Sequence, residues 1–414
     1  MLGYDICKLQ NKVSTLNNTV FLIGNGNRDF GMRVANTFQK TYDCIVSECK
    51  PGKFANGETK IDSIRENIRQ KDIILIQSII NTQDENTFYS VNDLFMELCT
   101  MIDAVIRGSA RSVTVVLPMY PYQRQDRKDC SRCPISARMI TSILESLKVS
   151  RVIVFDLHAS QIQGFFSSTP LDNLFSEPYF IKYIKDLCHQ NKLCDSLTEN
   201  KLDKNQNISD CESDDNILID SVNNNDNNDN SDNNDNNDNN DNNDNNNDKL
   251  EINRHCSDKI CLVSPDEGGI KRVIRMGNKM NVSSAFIYKE RKKASEISRM
   301  VIMGDVKDKI CFLVDDMIDT GGTACKACDL LIENGAKEVY MCACHGLFSG
   351  PCFDRIHKSN FKKVVVTNTV INDSNITKNL KNKIEIIDVT QMCAIAIERC
   401  LNGKSLSELI NIKV

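Results

Sequence analysis

The chain has 414 residues, room for two ordinary domains with sequence to spare, and 41% of them are hydrophobic, enough to fill true cores. Its net charge of −5 is unevenly placed: residues 195–254 hold 17 acidic against 4 basic side chains, so that segment carries −13 and the remainder +8. A mildly basic body suits small phosphate-rich ligands, but it lacks the basic stripes of a nucleic-acid binder, and no stretch has the length of a membrane span.

From the N-terminus, residues 1–17 read as an extension without the basic start or apolar core of a signal peptide, so a cytoplasmic, reducing location is expected. Val20–Gly24 is a predicted strand ending in glycine, and Asp29–Thr41 a predicted amphipathic helix. Further strands are predicted over Asp72–Gln77, Ser112–Leu117, Arg151–Leu157, Lys259–Val263, Ser284–Tyr288, Lys309–Asp315, Glu338–Cys342, Lys363–Thr367 and Lys383–Ile387. Helical patterns such as Ser90–Gly108 and Ile135–Leu147 separate most of them. Alternation of this kind predicts an α/β fold with parallel sheets and crossover helices, in two units meeting near Glu177–Pro178. The first unit spans 18–177 and the second 178–399. Between about 193 and 253 the composition collapses into Asn and Asp, with an Asn-Asn-Asp array from Asn224 to Asp244. That insertion cannot bury enough apolar surface to offset chain ordering, and it is expected to be disordered.

The 19 cysteines are scattered, many of them inside apolar patterns (Cys99, Cys261, Cys311, Cys342, Cys393), as small hydrophobes would be. Cys130-x-x-Cys133 lies in a charged loop without the strand-helix context of a redox motif, and is read as coincidence.

Five motifs carry chemistry. Val314-Asp315-Asp316-Met317-Ile318-Asp319-Thr320-Gly321-Gly322-Thr323 ends a buried strand in a tight turn that opens a helix. Outward backbone N–H groups and two glycines there suit a phosphate, while Asp315 and Asp316 suit sugar hydroxyls or a divalent cation. In Val154-Phe155-Asp156-Leu157-His158, strand alternation would put Asp156 and His158 on one face, fit to hold a metal or orient a phosphate. The stretch Tyr120 to Arg132 is a cation-rich loop containing Arg124, Gln125 and Asp126, able to fold over a polyphosphate. Lys289-Glu290-Arg291-Lys292-Lys293 sets Lys289 and Arg291 on one side of an extended strand end. Phe54-Ala55-Asn56-Gly57-Glu58 offers an aromatic face and hydrogen-bonding groups in a turn.

In this order the motifs resemble the ribose-phosphate diphosphokinases, from about Val20 to Lys192 and again from about Cys256 onward. The resemblance implies two tandem phosphoribosyltransferase-like (Rossmann-like) domains, with residues 400–414 returning to the first. It also implies transfer of the diphosphoryl group of ATP to ribose 5-phosphate, with Mg²⁺. Carried over by position, Phe54, Asn56, Gly57, Glu58, Arg124, Gln125 and Asp126 bind ATP. Lys289 and Arg291 are catalytic, and Asp156, His158 and Asp266 are metal positions. Arg291, Asp315, Asp316, Asp319, Thr320, Gly321, Gly322 and Thr323 bind ribose 5-phosphate. The family's regulatory site for inorganic phosphate and ADP is matched in part, by Arg69, Arg132, Ser160, Asn173, Ser405 and Ser407. A homo-oligomer, a hexamer built from dimers, is implied as well. Cys130 departs from the family by replacing a cation in the closing loop. The alternative is a non-catalytic synthetase-associated subunit of the same fold.

Overall fold

Runs of wholly buried residues seed two sheets in the computed structural model, which describes residues 18–47, 49, 51–84, 87–190, 258–293, 296–370, 376 and 380–411. The extension at 1–17 and the Asn/Asp insertion at 193–253 lie outside the described residues.

The first half begins with β1 (Thr19–Ile23), α1 (Arg28–Gln39), β2 (Ile45–Val46) and the hairpin β3 (Pro51–Lys53) to β4 (Thr59–Ile61). It continues through β5 (Asp72–Ile76), the pair β6 (Thr82–Asp84) and β7 (Thr87–Tyr89), α2 (Val91–Arg107) and β8 (Ser112–Leu117). Then come α3 (Ser136–Ser146), β9 (Arg151–Phe155), β10 (Leu171–Leu174) and α4 (Glu177–Gln190). Its six-stranded sheet has the order β10-β9-β8-β5-β1-β2 and is parallel throughout. Every residue of β1 and β5 is buried, because helices cover both faces of a parallel sheet. Ser90 caps α2 through a reciprocal pair of bonds with Asp93, which places the helix start where the sequence predicts it.

The second half runs β11 (Ile260–Ser264), α5 (Ile270–Met280), β12 (Ser283–Lys293), β13 (Glu296–Met303) and β14 (Ile310–Ile318). It ends with α6 (Gly322–Glu333), β15 (Glu338–Gly346), α7 (Cys352–Lys358), β16 (Lys363–Thr367), β17 (Ile384–Ile387) and α8 (Thr390–Leu401). Its seven strands have the order β13-β12-β11-β14-β15-β16-β17, with only the edge pair β12–β13 antiparallel. The chain is therefore α/β, two mainly parallel sheets flanked by helices. In this second sheet the strand order reverses at β11, between β12 and β14. Open α/β sheets bind ligands at such a reversal, beyond the carboxyl ends of the strands.

The two halves are stitched by buried hydrogen bonds. His345, at the end of β15, reaches the Phe155 carbonyl through Nε2 at 3.1 Å and Thr369 Oγ1 through Nδ1 at 3.0 Å. Burial lowers its pKa, so the ring is neutral and Nε2–H donates to Phe155. Ser78 Oγ donates to the Thr369 carbonyl at 2.9 Å, and Asn27 Nδ2 to the Asn368 carbonyl at 2.9 Å. The chain returns to the first sheet earlier than the expected residue 400. Met392, Cys393, Ala396 and Ile397 of α8 already pack with Phe30, Val34 and Phe38 of α1.

Candidate functional site

β14 extends past Asp315 to Ile318, so both aspartates stand on the strand, with Asp316 buried and Asp315 half-buried. Asp315 Oδ1 accepts the Asp316 backbone N–H at 2.9 Å. Arg272, in the first turn of α5, brings Nη1 to 3.9 Å from Asp315 Oδ1 and 4.0 Å from Asp316 Oδ1. Burial and the adjacent Asp316 charge push the Asp315 carboxyl well above the usual range. Burial would raise Asp316 too, but its bond with His158 and the Arg272 charge hold it below that range. The surroundings thus push the two carboxyls in opposite directions, favouring the charged form at Asp316 over Asp315.

Past the strand, Asp319 to Gly322 form the turn into α6. Gly321 has φ 72°, a left-handed value that L side chains resist, and a Cβ there would lie 2.9 Å from Cys352 Sγ. A Cβ on Gly322 would approach Arg355 Nη1 to 3.1 Å, and that guanidinium donates to the Thr320 carbonyl at 2.9 Å. Cys325 N–H closes the first helical bond, onto the Gly321 carbonyl at 2.9 Å. The N–H groups before it lack intrahelical partners and carry the positive end of the helix dipole, as anion binding requires. Asp266, just beyond β11, accepts the Gly268 N–H at 3.1 Å through Oδ1, and its Oδ2 lies 3.7 Å from Lys289 Nζ.

The first half reaches into this crevice with two side chains. Arg124 Nη1 lies 2.6 Å from Asp319 Oδ2, and His158 Nδ1 lies 2.8 Å from Asp316 Oδ2. The Asp316 bond raises the His158 pKa against the opposing effect of burial. Around them, Gln161 Nε2 donates to Asp126 Oδ2 at 2.6 Å and Ser136 Oγ bonds Gln125 Oε1. The expected geometry of Asp156 needs correction. β9 stops at Phe155, and Asp156 takes φ 37°, so it does not share a strand face with His158. Its buried carboxylate accepts the Ser176 N–H at 2.9 Å and the Ser176 hydroxyl, fastening the start of α4.

Other predicted residues lie apart from the cluster. Phe54, 55% exposed, tops the β3–β4 hairpin, whose tip is closed by Gly57 N–H to the Phe54 carbonyl at 2.9 Å and Glu58 N–H to Asn56 Oδ1 at 3.2 Å. Lys53 at its base pairs with Asp93 of α2 at 2.8 Å. The side chain of Arg291 lies outside the described residues; its backbone belongs to β12. Of the predicted regulatory residues, Asn173 and Ser407 line a cavity of about 210 Å³ together with Gln163, Leu174 and Met392. Ser405 Oγ donates to Ser407 Oγ at 3.2 Å. Ser160 opens a short 3₁₀ turn, Arg69 Nη1 contacts Ser109 Oγ at 3.5 Å, and Arg132 sits in the loop before α3.

Two contributors escape the sequence reading. Arg272 could have been found from a local conflict, since a cation in the first turn of a helix opposes the dipole unless acids face it. Gln123, 2% exposed, accepts the His158 N–H at 3.0 Å, and no sequence signal marks it. Among the described residues no group of three or more His, Cys, Asp or Glu side chains is arranged as a metal cage. No helix among them is long and apolar enough to cross a membrane.

Comparison with known proteins agrees with this architecture. Residues 19–147 match the family profile of the N-terminal domain of ribose phosphate pyrophosphokinase, and residues 258–411 match that of the phosphoribosyl synthetase-associated domain. The crystal structure of phosphoribosylpyrophosphate synthetase from Mycobacterium smegmatis is similar at a TM-score of 0.69 and 28% identity, covering 93% of this chain and 99% of that one. Adenine phosphoribosyl transferase from Trypanosoma brucei matches only 35% of the chain, at 22% identity and a TM-score of 0.22. With both halves matched by its profiles and 93% of its length matched by a solved member, the chain belongs to the ribose-phosphate pyrophosphokinase family.

Proposed function

We propose that the chain is a catalytic ribose-phosphate diphosphokinase, moving the β,γ-diphosphoryl group of ATP to the 1-hydroxyl of ribose 5-phosphate and releasing AMP. One observation carries this reading: Arg124 of the first half and Asp319 of the sugar-phosphate turn lie 2.6 Å apart. A nucleotide held by the Arg124 loop would face a ribose held by the β14–α6 turn across one crevice.

Each residue then has a chemical task. The Asp319–Thr323 turn takes the 5-phosphate on backbone N–H groups. Asp316, favoured as the carboxylate by its bond to His158 and the Arg272 charge, accepts from the ribose hydroxyls, and the Asp315 carboxyl beside it offers a second hydrogen-bonding group to them. Lys289, with its side chain 10% exposed, and Arg291 stabilise charge on the transferring group, which asks mainly for positioning and electrostatics. The isolated Asp266, half-exposed beside Lys289, fits Mg²⁺, which keeps its waters and binds through one or two carboxylates plus substrate phosphates. His158 would serve there only through Nε2, its Nδ1 being engaged by Asp316. When bound, Mg²⁺ supplies charge neutralisation on the diphosphate oxygens. Asp156 belongs to the supporting layer, through Ser176.

The Phe54 hairpin retains the adenine role on its exposed ring and turn polar groups. The cavity lined by Asn173 and Ser407 is where phosphate or ADP would act, and assembly into a homohexamer is part of the same proposal. Purified protein incubated with ATP, ribose 5-phosphate and Mg²⁺ should release AMP only when both substrates are present. AMP that ignores ribose 5-phosphate, or no AMP from correctly assembled protein, would turn the reading toward the non-catalytic subunit.

A further inference from the structure

The cation-rich loop that delivers Arg124 also holds two thiols in an unusual arrangement. Cys130-Ser131-Arg132-Cys133 forms a turn with Arg132 at φ 65°, in the left-handed region. Cys133 Sγ folds back onto the Cys130 backbone, 3.2 Å from its N and 2.8 Å from its carbonyl oxygen, to which the thiol donates. Both cysteines are free, Cys130 exposed and Cys133 half-exposed. The remaining described cysteines are buried or half-buried, and most serve the cores. The Cys133 sulfur is therefore already seated against the backbone of the residue that carries the other thiol. The Cα atoms of a four-residue turn already lie within about 7 Å, close to the span a disulfide needs.

We propose that Cys130 and Cys133 form a reversible dithiol–disulfide site, and that closing it restrains the nucleotide loop and slows turnover. The oxidant class is a small-molecule disulfide. The Cys130 thiolate attacks one of its sulfurs, forming a mixed disulfide and expelling one thiolate. Cys133 sulfur then attacks Cys130 Sγ, forming the internal bond and expelling the second thiolate. The two protein thiols lose two electrons and two protons, and the small disulfide becomes two thiols. The small ring fixes the turn with Arg132 left-handed, ahead of Pro134, and removes freedom from the loop between Arg124 and α3. That freedom matters if the loop must close over a polyphosphate. The rate effect rests on the proposed diphosphokinase reading; the bond itself does not.

The test uses the full chain equilibrated across ratios of oxidised to reduced glutathione, then alkylated and mapped by mass. The expected product is a peptide joining Cys130 to Cys133, lighter by two hydrogens and regenerated by a dithiol reductant. The Cys133→Ser variant should instead trap glutathione on Cys130. Oxidised protein should show slower tryptic cleavage at Arg127 and Lys128, a readout independent of activity. Turnover should fall about fivefold or more on oxidation and recover on reduction, and the Cys130→Ser/Cys133→Ser variant should lack this response. A mixed disulfide that persists on Cys130 in the wild-type chain overturns the proposal. So does an internal disulfide that changes neither proteolysis nor turnover. If no AMP is ever formed, the mass and proteolysis results still decide the site, so its failure and that of the catalytic reading are distinguishable.

Discussion

His158 Nδ1 and Asp316 Oδ2, 158 residues apart in sequence, lie 2.8 Å apart across the junction of the two halves. The bond joins the turn after β9 to the acidic end of β14. It raises the pKa of the imidazole and, with Arg272, lowers that of the carboxyl. A histidine whose folded pKa is raised contributes stability that is fully present below about 6.5 and is lost as pH rises through the folded value. Asp316, lowered on folding, contributes above about pH 4 and loses that contribution as pH falls through its folded value. Urea unfolding of wild type and His158→Gln across pH should show the difference between them shrinking from pH 6 toward pH 9. The comparison with the variant cancels His345, whose lowered pKa works oppositely and removes stability as pH falls below about 6.5. A constant difference would mean that His158 is not charged in the folded protein.

Arg124 and Asp319 form the second bridge, with Arg124 largely exposed, so their direct worth to stability is about 1 kcal/mol or less. Arg124→Ala should therefore leave urea unfolding nearly unchanged while lowering kcat/KM for ATP about a hundredfold or more, the loss typical of a missing charge clamp. Parallel losses of stability and activity would make Arg124 a structural residue instead.

Arg272 faces two carboxylates from the first turn of α5. Replacing it with Met keeps much of the volume and removes the charge. Asp316 should then titrate at a higher pH, shifting the acid limb of the rate profile upward, with turnover at neutral pH falling about tenfold or more. An unmoved acid limb would detach Arg272 from the aspartate pair.

Lys289 stands 3.7 Å from Asp266 at the mouth of the crevice. Lys289→Ala should reduce kcat by at least about a hundredfold while changing ATP affinity by only a few-fold, because its charge is called on in the transition state. Equal losses in the two quantities would place it in ground-state recognition.

Gly321 combines φ 72° with a neighbouring sulfur 2.9 Å from any added Cβ. Gly321→Ala should destabilise the protein by about 1–3 kcal/mol and weaken ribose 5-phosphate binding more than ATP binding. Thermal unfolding and titration with each substrate separate the two effects.

The sequence by itself determined the layer architecture and the approximate places of the central strands. Continuous apolar runs such as Ile310–Val314 and Ile73–Ile76, short and bounded by polar residues, favour strands covered on both faces, and Gly321-Gly322 after such a run allows the left-handed turn found at Gly321. Those signals are local, carried by side-chain periodicity and backbone permission. Only the tertiary structure decided which side chains meet. Asp156, expected beside His158, turns away at φ 37° to hold Ser176, because the chain leaves the strand one residue before it. Arg272 and Gln123 acquire their places from packing between distant segments, which no window of neighbouring residues encodes. The two thiols of Cys130 and Cys133 looked accidental by spacing, and became a pair only when the left-handed Arg132 folded one sulfur onto the other's backbone. Periodicity reports which face of an element is apolar; the meeting of faces depends on loop conformation and on how two cores settle against one another.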